Sequence, residues 1–162
     1  VGHGSVPTDC PAALVSAFKK LESARLGEPV PEFKAADERL RRWPRTPLTD
    51  PYQAGLEAVA RALREELPDH DVLEAYNEFC APSLEQALES AVAAGARHVT
   101  VISTMSTRGG VHSELEIPRI LERERRRYPH AQILYAWPFP LSNIAKLLAS
   151  SVRRAEKQPL KR

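Results

Sequence analysis

Short apolar runs alternate with longer stretches of helical periodicity along the second half of the chain. Three runs are rich in β-branched or aromatic residues and predict β-strands, at residues 72–76, 98–103 and 131–137. Three stretches carry apolar residues every three or four positions and predict helices, at residues 82–94, 117–128 and 142–156. Strands that alternate with helices predict right-handed βαβ units and a parallel sheet.

The first half of the chain is less regular. Periodic stretches at 12–25 and 52–67 predict two further helices. Between them, residues 27–51 hold five prolines and a basic helical patch at 38–43, which together indicate an excursion from the domain rather than a second domain. Only Val1 remains of an apolar run before the first glycine, so we expect another strand there whose upstream residues are missing from the sequence given.

These elements predict a three-layer α/β domain of flavodoxin-like winding, with a mainly parallel sheet of about four strands. Residues 1–156 form this single domain in the prediction, and residues 157–162 form a basic tail. We expect Ser142 to cap the last helix. Pro118 fits only the first turn of a helix, so the helix that contains it begins close to residues 112–116.

Composition narrows the classes of function. The chain has 162 residues with 23 basic and 21 acidic side chains, a net charge of +2 that gives no case for a nucleic-acid partner. No run approaches the roughly 18 to 20 apolar residues of a membrane span, and no secretory signal pattern opens the sequence. Cys10 and Cys80 have no metal-ligand spacing and are expected to be buried, reduced thiols, so we expect a cytoplasmic protein.

Two histidines stand in glycine-rich turns directly after predicted strands. His3 lies between Gly2 and Gly4, and His112 closely follows Gly109 and Gly110. The carboxyl ends of parallel strands lie at one edge of an open sheet, where ligands bind, so the two imidazoles can meet there. Taken singly, each turn is equally well explained as an ordinary loop at the end of a strand.

Acidic residues accompany both turns. Glu78 follows the strand at 72–76 and stands among aromatic neighbours, where a carboxylate is costly unless paired, protonated or metal-bound. A solvated loop glutamate is the alternative explanation. Glu116 lies four residues after His112, and the helix dipole is the stronger explanation for an acid in a first turn.

Two imidazoles and one carboxylate form a ligand set suited to Co²⁺, Fe²⁺, Ni²⁺ or Zn²⁺, with positions left open for substrate. Mg²⁺ prefers more oxygen ligands. The other histidines precede or begin strands, at the opposite edge of the sheet, and we assign them no role: His70, His98 and His130.

Four motifs in order carry a family resemblance. They are Val1-Gly2-His3-Gly4-Ser5, then residues 75–84, then Gly95-Ala96-Arg97-His98-Val99, and then Gly109-Gly110-Val111-His112 followed by Glu116-Ile117-Pro118. The chain resembles the small sirohydrochlorin chelatases, the class II chelatases that insert cobalt and their iron-inserting siroheme relatives. The resemblance covers about residues 52–152 together with the N-terminal motif.

The resemblance implies insertion of Co²⁺ or Fe²⁺, with Ni²⁺ also considered, into sirohydrochlorin or a related tetrapyrrole, without an organic cofactor. It implies that His3 and His112 hold the metal ion and that Glu78 closes the site. A neutral imidazole can also accept a pyrrole proton, and Glu78 is the natural second base. Substrate contacts are expected from Ser5, Arg108, Gly109 and Gly110, and Arg119 is a second candidate partner for the carboxylates of the macrocycle.

Three departures from the family pattern leave the metal and the tetrapyrrole open. Val6 stands where the family often has arginine, residues 103–107 replace an apolar run, and the excursion at 27–51 is longer than the usual connection. A non-catalytic metal or tetrapyrrole carrier on the same scaffold is the main alternative. A phosphohistidine hydrolase is a weaker one, because no arginine directly precedes His3.

The resemblance also implies a second copy of the domain. A single sheet edge offers one wall to a flat macrocycle, and the related chelatases close the cleft with another copy. Because the sequence has no internal repeat, we expect a homodimer or half of a tandem chain, with its interface near the two glycine turns. Such an interface should bury well over roughly 1,000 Å² in total.

Overall fold

A computed structural model describes residues 1–23 and 31–157. These residues form helices and a small parallel sheet. The helices are α1 (Ala12–Ser23), α2 (Pro31–Arg41), α3 (Pro51–Glu66), α4 (Leu84–Ala93), α5 (Ile117–Arg127) and α6 (Leu141–Glu156); the strands are β1 (His98–Val101) and β2 (Gln132–Tyr135). The start of the predicted excursion at 27–30 and the predicted tail at 158–162 lie outside the described residues.

The two strands pair in parallel, with His98 opposite Gln132 and Val101 opposite Tyr135. Isolated parallel bridges join Gly2 to Tyr76 and Tyr76 to Ser83. The N-terminal segment continues the hydrogen bonding at the end of β1, because the Thr104 N–H donates to the Val1 carbonyl at 3.0 Å. The parallel direction expected from the alternation of strands and helices is therefore confirmed.

The expected number of strands is wrong, since the described residues form two strands rather than four. The predicted strand at 72–76 pairs only near its end: the Gly2 N–H donates to the Ala75 carbonyl, and the Asn77 N–H donates to the Gly2 carbonyl, both at 2.9 Å. Among residues 1–23 and 31–157, no backbone hydrogen bond pairs residues 72–74 with a neighbouring strand. A ladder of regular length does not form there.

Helices α4 and α5 cover one face of the sheet. Their side chains form the main core with Ala75, Val101 and Ile133. Tyr76 points to the opposite face, where it packs with Leu56 of α3, because successive residues of an extended segment alternate between faces. Helix α3 therefore forms the third layer of the predicted fold beside Tyr76. It does not cover the same face of β1 and β2, where Thr100, Ile102 and Leu134 are exposed.

Three helix starts differ from the sequence prediction. Ser83 and Gln86 form a reciprocal capping box at the start of α4, two residues after the predicted start. Helix α6 begins at Leu141 directly after Pro140, so Ser142 lies inside the helix and is not its cap. Helix α2 begins at Pro31, which makes it longer than the predicted basic patch.

Residues 31–51 return to the body of the domain through aromatic contacts. Phe18 of α1 packs against Phe33 of α2, with ring centroids 5.2 Å apart, and against Phe79, at 5.7 Å. Phe79 belongs to the loop that follows Tyr76, so this cluster lies directly behind the carboxyl edge of the sheet. Among the described residues, no helix has the length and apolar character required to cross a membrane.

Candidate metal site

Three side chains from separate parts of the chain converge at the carboxyl edge. The Nε2 atoms of His3 and His112 are 3.1 Å apart, and Glu78 Oε2 lies 3.8 Å from His3 Nε2. One ligand atom from each of the three residues lies within 4.8 Å of the other two. The structure thus brings together the two histidines and the glutamate that the sequence predicts as one site.

Close backbone contact between two loops places His3 beside Glu78. The Glu78 N–H donates to the His3 carbonyl at 2.8 Å. Gly4 has a φ of +100°, and a Cβ there would lie 1.9 Å from the Glu78 carbonyl oxygen, so only glycine allows this approach. The Tyr52 hydroxyl accepts a hydrogen bond from the His3 N–H at 2.7 Å and fixes the other side of the turn.

The tautomer of His3 follows from its neighbour. His3 Nδ1 lies 3.0 Å from the Gly4 carbonyl oxygen, which can only accept a hydrogen bond. In the neutral ring the proton therefore belongs on Nδ1, which leaves the lone pair of Nε2 facing His112 and Glu78. This is the protonation state that a metal ligand requires.

A π-helical turn presents His112. Residues 112–116 form this turn, in which the Ile117 N–H donates to the His112 carbonyl, and α5 follows without interruption. His112 Nδ1 lies 2.7 Å from Glu116 Oε2, and the Asn77 side-chain amide donates to the same carboxylate oxygen at 2.9 Å. His112 Nδ1 also lies 2.8 Å from Asn77 Nδ2, so its ring is held from two sides. In the tautomer that carries the proton on Nδ1, the bond to the carboxylate makes Nε2 more basic.

A strained turn carries Glu78. The Cys80 N–H donates to the Glu78 carbonyl at 2.6 Å across Phe79, whose φ is +59°. This is a γ-turn with a positive φ at its centre, which is a rare and strained conformation for a residue with a bulky side chain. Such strain persists only where the surrounding structure over-determines it, and it is concentrated at functional sites.

The geometry fits a divalent ion of intermediate softness. Two nitrogens at about 2.0–2.1 Å from one ion lie about 3.0–3.4 Å apart, and the two Nε2 atoms are separated by 3.1 Å. The two imidazole rings are nearly perpendicular, with an interplanar angle of 83°, so their lone pairs can converge without stacking. With Glu78 as a third ligand, the set suits Co²⁺, Fe²⁺, Ni²⁺ or Zn²⁺ and leaves positions for other ligands.

Cys80 lies close to this site, two residues after Glu78. Its side chain is buried, and burial raises the pKa of the thiol to about 11. The thiol is therefore protonated at neutral pH in the protein without metal, and the three side chains that converge are His3, Glu78 and His112.

The remaining predicted residues have different surroundings. The Ser5 hydroxyl donates to Asp50 at 2.5 Å, which gives it a structural partner. Arg108, Gly109 and Arg119 are exposed. Their contacts with substrate, and those of Gly110, stay predictions.

The histidines without an assigned role lie elsewhere. His98 begins β1 at the amino edge of the sheet, and its Nδ1 lies 3.0 Å from the Gln132 side-chain oxygen. His130 precedes β2 at the same edge, beside the ring of Tyr128. Both are separated from the carboxyl edge by the length of a strand, as the sequence predicts.

Sequence patterns do not predict two residues that support the site, Asn77 and Tyr52, and they favour a different role for a third, Glu116. Asn77 directly precedes Glu78 at the carboxyl edge of the sheet. This position is the one feature of the sequence that indicates a role for Asn77 in the site. Tyr52 opens α3 and gave no signal, because its role is to accept a backbone hydrogen bond. Glu116 was explained by the helix dipole, whereas its carboxylate binds the imidazole of His112.

The fold and the site define a small α/β protein with two histidines and one carboxylate at the carboxyl edge of a parallel sheet. The sequence profile of the CbiX family matches residues 49–155, more than half of the chain, and the chain belongs to this family. Glu78 and His112 fall within the matched region, while His3 precedes it.

A curated relative agrees with this assignment. The sirohydrochlorin cobaltochelatase of Priestia megaterium is 36% identical over 61 residues, which is 38% of this chain and 20% of that protein. The chain therefore matches a fifth of the length of this relative. Together with the CbiX match, it confirms the resemblance to the small sirohydrochlorin chelatases.

Proposed function

We propose that this protein inserts a divalent metal ion, Co²⁺ in the first place, into sirohydrochlorin or a closely related tetrapyrrole. The observation that carries the proposal is the convergence of His3, Glu78 and His112 on a space the size of one ion. Membership of the CbiX family and the named function of the Priestia megaterium relative support it. Fe²⁺ and Ni²⁺ are the other candidate ions, and the cytoplasm is the proposed location.

The residues can supply each step that insertion requires. The ion must lose water, and the Nε2 atoms of His3 and His112 with the Glu78 carboxylate replace part of its hydration shell. The macrocycle must lose two pyrrole protons, and an imidazole released from the ion and the Glu78 carboxylate are the bases within reach. We assign these three residues catalytic roles and give Arg108 the role of pairing with a substrate carboxylate.

A spectrophotometric assay tests the proposal. The protein is mixed with excess sirohydrochlorin and Co²⁺, Fe²⁺ or Ni²⁺ in parallel, and the change in the absorption spectrum is followed over time. Conversion of many equivalents of tetrapyrrole per protein, above the rate without protein, supports an enzyme. Conversion or binding that stops at one equivalent identifies a carrier and contradicts the proposal.

We propose that the working unit contains two copies of this domain, as a homodimer or as half of a tandem chain. Helix α6 supports this, because it has no buried residue and its leucines are exposed. Val111 and Leu115, beside the glycine turn of His112, are exposed as well. Light scattering measures the molar mass of the protein in solution and so tests for a homodimer. A fully active monomer of 18.0 kDa would contradict both the homodimer and the need for a tandem copy.

A further inference from the structure

Two arginines, one at the end of α2 and one between α2 and α3, contact the loops of the metal site. Arg41, the last residue of α2, donates from Nη1 to the Cys80 carbonyl and from Nη2 to the Asn77 carbonyl, each at 3.0 Å. These two carbonyls bracket Glu78 and Phe79. Arg41 Nε also bonds Asp37 at 2.8 Å, which fixes the orientation of the guanidinium group.

Arg45 makes the second set of contacts. Its Nη1 donates to the Ser5 carbonyl at 2.9 Å, and its Nη2 donates to the Phe79 carbonyl. Arg45 Nη1 also pairs with Asp50, whose side chain is completely buried. The guanidinium group of Arg45 therefore joins the loop of His3 to the loop of Glu78.

The contacts converge on the γ-turn at Phe79. Phe79 has a positive φ at the centre of the γ-turn, and Arg41 and Arg45 bind the carbonyls of residues 77, 79 and 80 around it. Bonds from charged donors are stronger than neutral ones, and a guanidinium group can bind several carbonyls at fixed angles. Without these bonds, the peptide units on both sides of Phe79 are free to leave the strained conformation.

We propose that Arg41 and Arg45 are positioning residues of the metal site. They hold the γ-turn at Phe79, and the γ-turn directs the Glu78 carboxylate toward His3. The end of α2 and the segment that follows it, residues 41–45, then form a brace for the site rather than a passive excursion. The proposal rests on Glu78 being a metal ligand, as the proposed function requires, but it does not require turnover.

The first test measures the affinity of the protein alone for Co²⁺, by titration followed through the visible absorption of the ion. Arg41→Met keeps much of the side-chain volume but removes the donors, and we expect the dissociation constant to rise about tenfold, the range seen for partners of metal ligands. Arg42→Met is the matched control, because Arg42 is the next residue and its guanidinium group, among the described residues, pairs with the exposed Glu38 and not with the loops of the site. Its affinity should equal that of the wild type.

A double-mutant cycle separates positioning from general loss of structure. If Arg41 acts through Glu78, Arg41→Met should change the affinity by less than about twofold in a Glu78→Gln background. The same tenfold loss in both backgrounds would overturn the proposal, and so would an unchanged affinity in the single variant. The melting temperature of each variant, measured in parallel, shows whether the protein is folded.

Arg45 needs a different variant, because its loss leaves Asp50 as a buried charge without a partner. Arg45→Met is therefore combined with Asp50→Asn and compared with Asp50→Asn alone, which keeps a cap for α3. We expect the double variant to bind Co²⁺ about tenfold more weakly than the single one. Equal affinities would remove Arg45 from the proposal.

The visible spectrum of bound Co²⁺ provides a measurement that does not depend on the free energy of unfolding of the variant. Its band positions report the ligand set, so Arg41→Met should shift the spectrum toward that of Glu78→Gln. A weaker affinity with an unchanged spectrum would contradict positioning. If the wild-type protein binds Co²⁺ with this dependence but does not convert sirohydrochlorin, the proposed function fails while the brace stands.

Discussion

His3 and His112 face each other across 3.1 Å, yet the protein holds them in different ways. His112 is fixed through a carboxylate, with Nδ1 2.7 Å from Glu116, and 24% of its side chain is exposed. His3 is fixed through the backbone, with Nδ1 3.0 Å from the Gly4 carbonyl, and 41% of its side chain is exposed. One histidine is held by a charge, and the other by the shape of a turn.

The difference suggests a division of labour in insertion. A carboxylate bonded to Nδ1 makes the opposite nitrogen a stronger ligand, whereas a neutral carbonyl does so less. We therefore expect His112 to keep the ion during binding and His3, which is more exposed, to exchange first when the ion moves to the macrocycle. The following predictions test this contrast, beginning with the largest effect.

Removal of either imidazole should abolish insertion. His3→Ala and His112→Ala each delete a ligand, and the loss of rate should exceed the roughly 10- to 100-fold effect of removing a partner of a ligand. The assay is Co²⁺ insertion into sirohydrochlorin, with circular dichroism to confirm folding. His130→Ala, at the opposite edge of the sheet, is the control. A parental rate in both site variants would exclude this metal site.

Alanine at the two glycine turns should give unequal results. Gly4→Ala places a Cβ 1.9 Å from the Glu78 carbonyl, whereas Gly109→Ala, at a φ of +85°, meets open space. Gly109→Ala should cost about 1–2 kcal/mol of unfolding free energy from its backbone conformation alone. Gly4→Ala should cost more and should also weaken Co²⁺ binding, because the loops of His3 and Glu78 must separate. Urea unfolding and Co²⁺ titration measure the two effects, and equal results would contradict the geometry of the His3 turn.

Loss of the charge on Glu116 should weaken metal binding through His112, whose Nδ1 it contacts. Glu116→Gln keeps the shape of the side chain but weakens its bond to Nδ1, so Co²⁺ affinity should fall by about 10- to 100-fold. Glu114→Gln is the matched control, since Glu114 is an exposed acid in the same turn. An equal loss in both variants would show that only the general negative charge matters.

Ser5→Ala should produce the smallest effect, and it is a change in stability. Burial alone would raise the pKa of Asp50, but hydrogen bonds from Ser5, Gln53 and Arg45 outweigh it and hold the pKa below 3.8. The stability from this carboxylate is complete above the unfolded-state pKa and is lost as the pH falls through the lower folded-state pKa. The variant should lose about 1 kcal/mol at pH 7 and less at pH 3. Urea unfolding at the two pH values tests this; a change only in the KM for tetrapyrrole would instead favour the predicted substrate role of Ser5.

The sequence predicts the site better than it predicts the sheet. His3, Glu78 and His112 each follow a strand or extended segment, and the parallel order brings such positions to one edge. The four-strand sheet was wrong because a strand needs a partner along its length, and within the part of the chain that the structure describes residues 72–74 make no backbone hydrogen bond to another strand. The periodicity of apolar residues indicates that a segment can form a strand, but it does not predict how many other strands pair with that segment.

The supporting contacts could not be predicted from local patterns. The bond between Glu116 and His112 depends on a π-helical turn, and apolar periodicity does not distinguish this turn from the start of an α-helix. Arg41 and Arg45 bind carbonyls that are 34 to 40 residues away in the sequence. Backbone carbonyls are present at every position, so the sequence contains no signal for such partners.

The most direct test of the metal site is X-ray absorption at the cobalt edge of the Co²⁺-loaded protein. We predict two imidazole nitrogens at about 2.0–2.1 Å, with oxygen atoms completing the shell, and one imidazole fewer in both His3→Ala and His112→Ala. A wild-type spectrum with fewer than two imidazoles, or one that neither substitution changes, would contradict the account.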